Sequence, residues 1–111
     1  MRQLPHPTSG EISLTGVLGA LADPVRLQIV CVLADGKEHN WGDFDDCGVG
    51  PSTLSHHVKV LREAGLINHR KAGTRCFVAL RPELGEVFPG LLESVMRCSA
   101  VNAKDLGLRG N

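Results

Sequence analysis

The chain has 111 residues, 42% of them hydrophobic, and its formal net charge is zero. This length fits one compact domain, and this apolar content excludes wholesale disorder. Because no long apolar run and no apolar leader are present, we expect neither a membrane span nor export. We therefore expect a cytoplasmic protein whose four cysteines are reduced.

Two helices are predicted in the first third of the chain. The pair Thr8 and Glu11 has capping-box spacing and precedes apolar residues at helical spacing, so we predict one helix from Thr8 to Leu21. The second helix is predicted to begin at Asp23–Pro24 and to end before Gly36. Its residues are almost all apolar, so we expect it to be nearly buried.

A short helix is predicted over Trp41–Cys47, closed by glycines, and a longer one from Pro51 or Ser52 to Ala64. Three apolar side chains of the longer helix recur at helical spacing and are predicted to face the core: Leu54, Val58 and Leu61. Its other faces carry small, polar and basic side chains.

The hydrophobic period changes after Gly65. Two short strands on either side of residues 71–74, with Gly73 at the tip, predict a β-hairpin. A short helical turn should follow, with the last main helix starting near Pro89, because proline is excluded from a helix interior. We predict a mainly α fold with a small hairpin: a flexible arm (1–10), one domain (11–103) and a flexible tail (104–111).

The zero net charge hides a strongly basic segment. Residues 51–81 carry six lysine and arginine residues against Glu63 alone, a net charge of +5, whereas residues 1–50 are net acidic. A local basic patch is what phosphate binding needs. A helix with a polar face fits the major groove of DNA, and a basic hairpin beside it can reach neighbouring phosphates.

The segments "LADPVRLQIVCVLADG" and "STLSHHVKVLREAGLI", followed by the basic hairpin, closely resemble the ArsR/SmtB-type family of bacterial repressors. The resemblance implies a winged helix-turn-helix homodimer that binds operator DNA and releases it when a chemical signal arrives. It also implies a dimer interface made by the first and last helices. The apolar residues expected there are Leu14, Val17, Leu18, Leu21, Leu91, Val95 and Cys98.

The same resemblance implies that nine residues contact DNA. These are Ser52, Thr53, Ser55, His56 and Lys59 on the helix, and Arg70, Lys71, Thr74 and Arg75 on the hairpin. His57 is spaced to lean toward the core, so we expect it to be structural, whereas His56 is the better candidate for reading bases.

Two metal sites familiar in that family are not expected. Asn40 and Gly42 stand where one site has its Cys-x-Cys pair, and residues 83–103 contain no histidine for the other. Glu86 and Glu93 alone would make a weak transition-metal site. We therefore predict no metal and no cofactor.

The cysteines are the remaining candidates for sensing a signal. Cys76 follows Arg75 on the hairpin, and positive neighbours favour a reactive thiolate, so it is the leading candidate for oxidation. Cys47 follows two aspartates, which disfavour a thiolate. Cys31 and Cys98 fall on apolar stripes, where packing is the simpler role.

The leading hypothesis is a repressor released by a chemical signal such as cysteine oxidation. One alternative is a metalloid- or metal-responsive repressor with an atypical cysteine site, which thiol titration with arsenite would reveal. Another is an interaction module that no longer binds DNA, against which the basic segment argues. An enzyme is not expected, because no nucleophile–base pair is apparent. The operator, the inducer and the direction of regulation stay open.

Overall fold

A computed structural model describes the backbone of residues 2–101 and the side chains of residues 4–99. The predicted tail, 104–111, and the last two residues of the predicted domain lie outside the described residues. The helices are α1 (Leu14–Leu21), α2 (Pro24–Val32), α3 (Pro51–Glu63), α4 (Leu84–Val87) and α5 (Leu91–Val101). The strands are β1 (Arg2–Gln3), β2 (His39–Asn40), β3 (Ile67–Ala72) and β4 (Arg75–Leu80). Short 3₁₀ helices span Ser9–Glu11, Leu33–Asp35 and Trp41–Cys47.

The prediction of one helix from Thr8 to Leu21 is wrong. The Thr8–Glu11 pair closes only a 3₁₀ turn, in which the Thr8 N–H donates to Glu11 Oε1 at 2.7 Å. The chain is then extended at Ile12, whose side chain is buried, and α1 starts afresh after Ser13. Ser13 provides the second cap, since its hydroxyl oxygen accepts the Gly16 N–H at 3.0 Å.

The bounds predicted for the second helical segment are confirmed. Asp23 caps α2 by accepting the Arg26 N–H at 3.0 Å, and Gly36 ends the segment at φ +78°. Near-complete burial is not observed, however. In this single chain only Ile29 and Val30 of α2 are fully buried, and most of its other side chains are half-buried.

The predicted hairpin is confirmed, and it belongs to a larger antiparallel sheet with strand order β1-β3-β4-β2. Ala72 pairs with Arg75 across a two-residue turn in which Gly73 has φ +64°. The pairing of β2 with β4 was not predicted. Since β2 has only two residues, it offers no alternation pattern that sequence analysis could detect.

The N-terminal residues lie along the hairpin. Strand β1 pairs with β3, and the Leu4 N–H donates to the His69 carbonyl oxygen at 3.4 Å. The His69 N–H in turn donates to His6 Nε2 at 2.9 Å. The described part of the predicted arm is thus hydrogen-bonded to β3, which no local pattern indicated.

The core lies between helices α1 to α3 and the inner face of the hairpin. Its largest fully buried side chains include Phe44, Ile29, Leu33, Leu61 and Leu66. The 3₁₀ helix Trp41–Cys47 and α3 form a helix-turn-helix, and the β3–β4 hairpin follows as a wing. The architecture is therefore a winged helix-turn-helix, as predicted.

Within the described residues, no single helix is long and apolar enough to cross a membrane. Helix α1 taken with residues 24–35 passes such a test only as a pair bent by 101°.

Candidate nucleic-acid interface

Helix α3 has one buried face and one exposed polar face. Leu54, Val58 and Leu61 are 5%, 0% and 0% exposed, so they fix the rotation of the helix against the core, as predicted. Pro51 occupies the first helical turn, where a missing N–H costs nothing. This rotation leaves five of the predicted DNA-contacting side chains exposed to solvent: Ser52, Thr53, Ser55, His56 and Lys59.

The four predicted wing residues do not share one environment. Lys71, Thr74 and Arg75 are exposed at and beside the hairpin tip. Arg70 is half-buried: its Nε and Nη2 atoms donate to Glu38 at 2.5 and 2.7 Å, and its guanidinium lies 4.5 Å from the centre of the Phe77 ring. Because neighbouring residues of a strand point to opposite faces, Arg70 and Lys71 lie on opposite sides of the wing.

The basic segment is less uniform in three dimensions than in sequence. Arg81 is only 7% exposed, and its Nη1 atom donates to the Pro7 carbonyl oxygen at 2.5 Å. Hydrogen bonding from Arg70 lowers the pKa of the Glu38 carboxyl, which keeps that pair ionised. The free positive charge is consequently concentrated on α3 and on the tip of the wing.

A cleft of about 710 Å³ separates α3 from the wing, and we call it the helix–wing cleft. Lys59 and Arg62 line it from α3, and Lys71 and Cys76 line it from the hairpin. None of the described residues that line it is acidic. The cleft is therefore suited to negatively charged groups.

Two stacked rings, those of Trp41 and His69, line the helix–wing cleft. The centroids of Trp41 and His69 lie 5.5 Å apart with an interplanar angle of 23°. Burial lowers the pKa of His69 to about 4, and the nearby charges of Arg62 and Lys71 act in the same direction. His69 is therefore neutral near pH 7 and adds no charge to the basic segment.

His57 has a structural position, as its spacing predicted. Arg26 Nη1 lies 3.1 Å from His57 Nδ1, and Arg26 Nε donates to the Ala20 carbonyl oxygen at 2.6 Å. Burial lowers the pKa of His57, although Asp23, 3.9 Å away, opposes the shift. This network ties α1, α2 and α3 together, so it sets the position of the polar helix face.

The cysteines lie in four different environments. Burial raises the pKa of the Cys47 thiol, with Asp46 adding to the effect. Burial also raises the pKa of Cys31, whose Sγ is 3.4 Å from Met96 Sδ. Cys98 is exposed on α5, and Cys76 is half-buried in the helix–wing cleft. Over the described part of the chain, no three His, Cys, Asp or Glu side chains converge as metal ligands.

The residues predicted for a dimer interface divide into two groups. Val17 and Leu21 are buried in the core of the single chain, whereas Leu14 and Leu18 are each 46% exposed. Leu91 and Val95 are half-buried, and Cys98 is exposed. Leu18, Val95 and Cys98 line a shallow groove of about 500 Å³ between α1 and α5.

Arg62 and Trp41 line the helix–wing cleft but were not among the predicted DNA contacts. Arg62 was counted only as charge, although it follows Lys59 at i+3 and so lies on a neighbouring face of the helix. Trp41 had no local signal, because its place in the cleft depends on a tertiary contact, the stacking of its ring on His69 of β3.

An exposed polar helix beside a basic wing, on this fold, defines a DNA-binding transcriptional regulator of the winged helix-turn-helix class. Residues 23–69 match the model of the arsR family of bacterial regulatory proteins. The chain is 38% identical over 82 residues to an uncharacterized HTH-type transcriptional regulator of Bacillus subtilis, YceK. That alignment covers 71% of this chain and 82% of the relative. The chain belongs to the ArsR family.

Two further relatives agree with this assignment. The biofilm growth-associated repressor of Xylella fastidiosa (strain Temecula1) is 34% identical over 83 residues, which cover 69% of this chain and 72% of the relative. The structure of HlyU from Vibrio cholerae aligns with a TM-score of 0.66 and 33% identity, over 78% of this chain and 90% of that one. The chain is accordingly a transcriptional regulator, which is a non-enzymatic role.

Proposed function

We propose that this chain is a homodimeric transcriptional repressor that binds operator DNA through α3 and the wing and is released by a chemical signal. One observation carries the proposal. The buried residues of α3 turn its polar face outward, and Lys71, Thr74 and Arg75 are exposed at and beside the tip of the neighbouring wing. The Xylella relative, described as a repressor, supports the direction of regulation, while a Vibrio cholerae relative is described as an activator.

Each contact has a physical role in the proposal. Ser52 and Thr53 lie in the first turn of α3, where free backbone N–H groups favour a phosphate. Ser55, His56 and Lys59 lie further along the helix, where side chains can reach base edges in the major groove. Lys71, Thr74 and Arg75 meet backbone phosphates, and Arg70 holds the wing in place through Glu38.

The dimer in this proposal forms through α1 and α5. Leu14 and Leu18 are the exposed large hydrophobic side chains among the described residues, and Leu18 lines the groove between α1 and α5. Covering them with the same surface of a second copy would remove this apolar area from water. Two copies would also present two recognition helices to a two-fold symmetric operator.

The proposed signal acts on a cysteine. Oxidation at Cys76 would change the helix–wing cleft directly. Cys98 lies on α5 and Cys31 contacts Met96 of α5, so both are close to the proposed dimer interface, whereas Cys47 is the last residue of the 3₁₀ helix Trp41–Cys47. One solved structure of HlyU is described as the reduced form, which supports a redox signal in a related regulator.

Fluorescence anisotropy on a duplex from the region upstream of the gene tests the DNA-binding part, with a random duplex as reference at fixed salt. His56→Ala should reduce the preference for the specific duplex by about 1–3 kcal/mol, because base contacts carry specificity. Arg75→Gln should weaken binding to both duplexes alike. It should also lower the slope of log affinity against log salt concentration by about one. Lys37→Gln, on neither α3 nor the hairpin, is the matched control.

Equal binding of both duplexes by the unmodified protein would contradict the proposal for that promoter. Equal effects of Lys37→Gln and Arg75→Gln would contradict the role assigned to the wing.

A further inference from the structure

One thiol and several cations share the helix–wing cleft. Cys76 pairs with Lys71 across the hairpin, so both side chains lie on the face of the wing that looks toward α3. Lys59 and Arg62 line the opposite wall. A negatively charged reagent is therefore drawn toward the Cys76 thiol, and a cationic one is repelled.

The cleft also contains polar groups that lack a partner. Arg62 Nη1 lies 3.5 Å from His69 Nδ1, and since an arginine N–H can only donate, Nδ1 is the acceptor. The hydrogen of this neutral ring is then on Nε2. Both His69 Nε2 and Arg62 Nε are buried without a hydrogen-bond partner among the described residues, and His69 is only 5% exposed.

These unpartnered groups are both donors, so the missing partner is an acceptor. A carboxylate fits this requirement and also the positive charge of the walls. The volume of about 710 Å³ accommodates a peptide-sized molecule beside the thiol.

We propose that Cys76 is a modification site for low-molecular-weight disulfides that carry carboxylates. The Cys76 thiol loses its proton to solvent, and its sulfur attacks one sulfur of the disulfide. A new bond forms between Sγ and that sulfur, the original S–S bond breaks, and the departing thiolate takes up a proton. Cys76 is thereby oxidised to a mixed disulfide while the other half of the reagent is reduced to a thiol.

The regulatory consequence rests on the DNA-binding function proposed above. The attached group occupies the helix–wing cleft and brings carboxylates to the surface that would meet phosphates. Like charges then repel, so the adduct lowers the affinity for DNA. Cys98 lies on α5, which contributes no residue to the lining of the helix–wing cleft, and no lysine or arginine is among the residues that line its own groove.

The test compares three disulfides on the reduced full-length protein: glutathione disulfide, which is anionic, hydroxyethyl disulfide, which is neutral, and cystamine, which is cationic. Peptide mass spectrometry gives the rate of adduct formation at each cysteine. At low salt we expect glutathione disulfide to modify Cys76 about tenfold faster than cystamine, with the preference shrinking at high salt. Lys71→Gln should reduce this preference, whereas the matched Lys37→Gln should keep it.

DNA binding is measured on the same samples by anisotropy. The glutathione adduct of the unmodified sequence should bind the operator duplex at least about tenfold more weakly, by charge repulsion and steric blockage. Cys76→Ser treated with the same disulfide should keep the affinity that it has untreated.

Two results would overturn the site itself: cystamine reacting at Cys76 as fast as glutathione disulfide, or glutathione accumulating at Cys98 before Cys76. An adduct at Cys76 that leaves DNA affinity unchanged would overturn the regulatory consequence. Reduced protein that does not bind operator DNA at all would overturn the proposed function, while the adduct rates would still decide the modification site.

Discussion

His69 connects three parts of the molecule. Its ring stacks on Trp41, its backbone N–H donates to His6 Nε2, and its Nδ1 faces Arg62 on α3. Burial, Arg62 and Lys71 lower its pKa to about 4, and burial also lowers the pKa of His6. Both imidazoles are thus held neutral where the N-terminal residues, the wing and α3 meet.

This environment predicts a stability that falls in acid. An unfolded histidine binds its proton near pH 6.5 and the folded His69 only near 4, so between these values the unfolded chain binds more protons. The free energy of unfolding should fall as pH falls through this interval, by on the order of 2–3 kcal/mol from His69. His69→Phe keeps a ring against Trp41 and should show a flatter pH dependence in urea unfolding.

The His69→Phe variant should keep part of the acid dependence of its unfolding free energy, because burial also lowers the pKa of His6. Identical slopes for this variant and the unmodified protein between pH 6.5 and 4 would contradict the assignment.

At the scale of elements, the turn from α3 into the wing is sterically constrained. Gly65 ends α3 at φ +87°, and a Cβ atom placed there would lie 2.5 Å from Ile12 Cγ1. Ile12 is the extended, buried residue between the 3₁₀ turn and α1. The N-terminal segment thus packs directly on the turn that orients the wing against α3.

Gly36 provides a matched comparison for Gly65. It has φ +78°, yet a Cβ atom there would meet nothing within 4 Å. Gly36→Ala should therefore cost about 1 kcal/mol of stability, from backbone strain alone. Gly65→Ala should cost about 1–3 kcal/mol more, because Ile12 must also move. Urea denaturation midpoints measure the stability loss of each variant. Equal losses for the two variants would show that the clash with Ile12 adds nothing to the cost of Gly65→Ala.

At the scale of the whole molecule, exposed apolar area marks the surface proposed to meet a second copy. Leu14 and Leu18 project from α1, while Val17 and Leu21 of the same helix are buried in the chain's own core. One helix therefore has two apolar faces. The single chain uses only one of them, and the other is left for association.

Leu18→Glu should separate association from folding. The side chain is 46% exposed in the single chain, so the fold should persist, while a charge at the centre of an apolar interface should raise the dimer dissociation constant at least about 30-fold. Sedimentation equilibrium measures association and circular dichroism the fold, with Lys37→Glu as the control. A dimer of undiminished affinity would place the interface elsewhere.

The sequence by itself determined the features that depend on neighbouring residues. The Asp23–Pro24 start and Gly36 end of α2, the burial of Leu54, Val58 and Leu61, and the turn at Gly73 all follow from caps, helical spacing and backbone freedom. These are local preferences, so they can be read along the chain. The order of helix, turn, polar helix and basic hairpin then defined the fold class.

Only the tertiary structure decided which side chains share a surface. Packing placed Arg70 against Glu38, buried Arg81, neutralised His69 and set Cys76 among cations in the helix–wing cleft. It also divided the Thr8–Leu21 segment, because burying Ile12 against Gly65 requires an extended backbone there. Such outcomes depend on contacts between distant residues, and the free energy of those contacts overrides local preference.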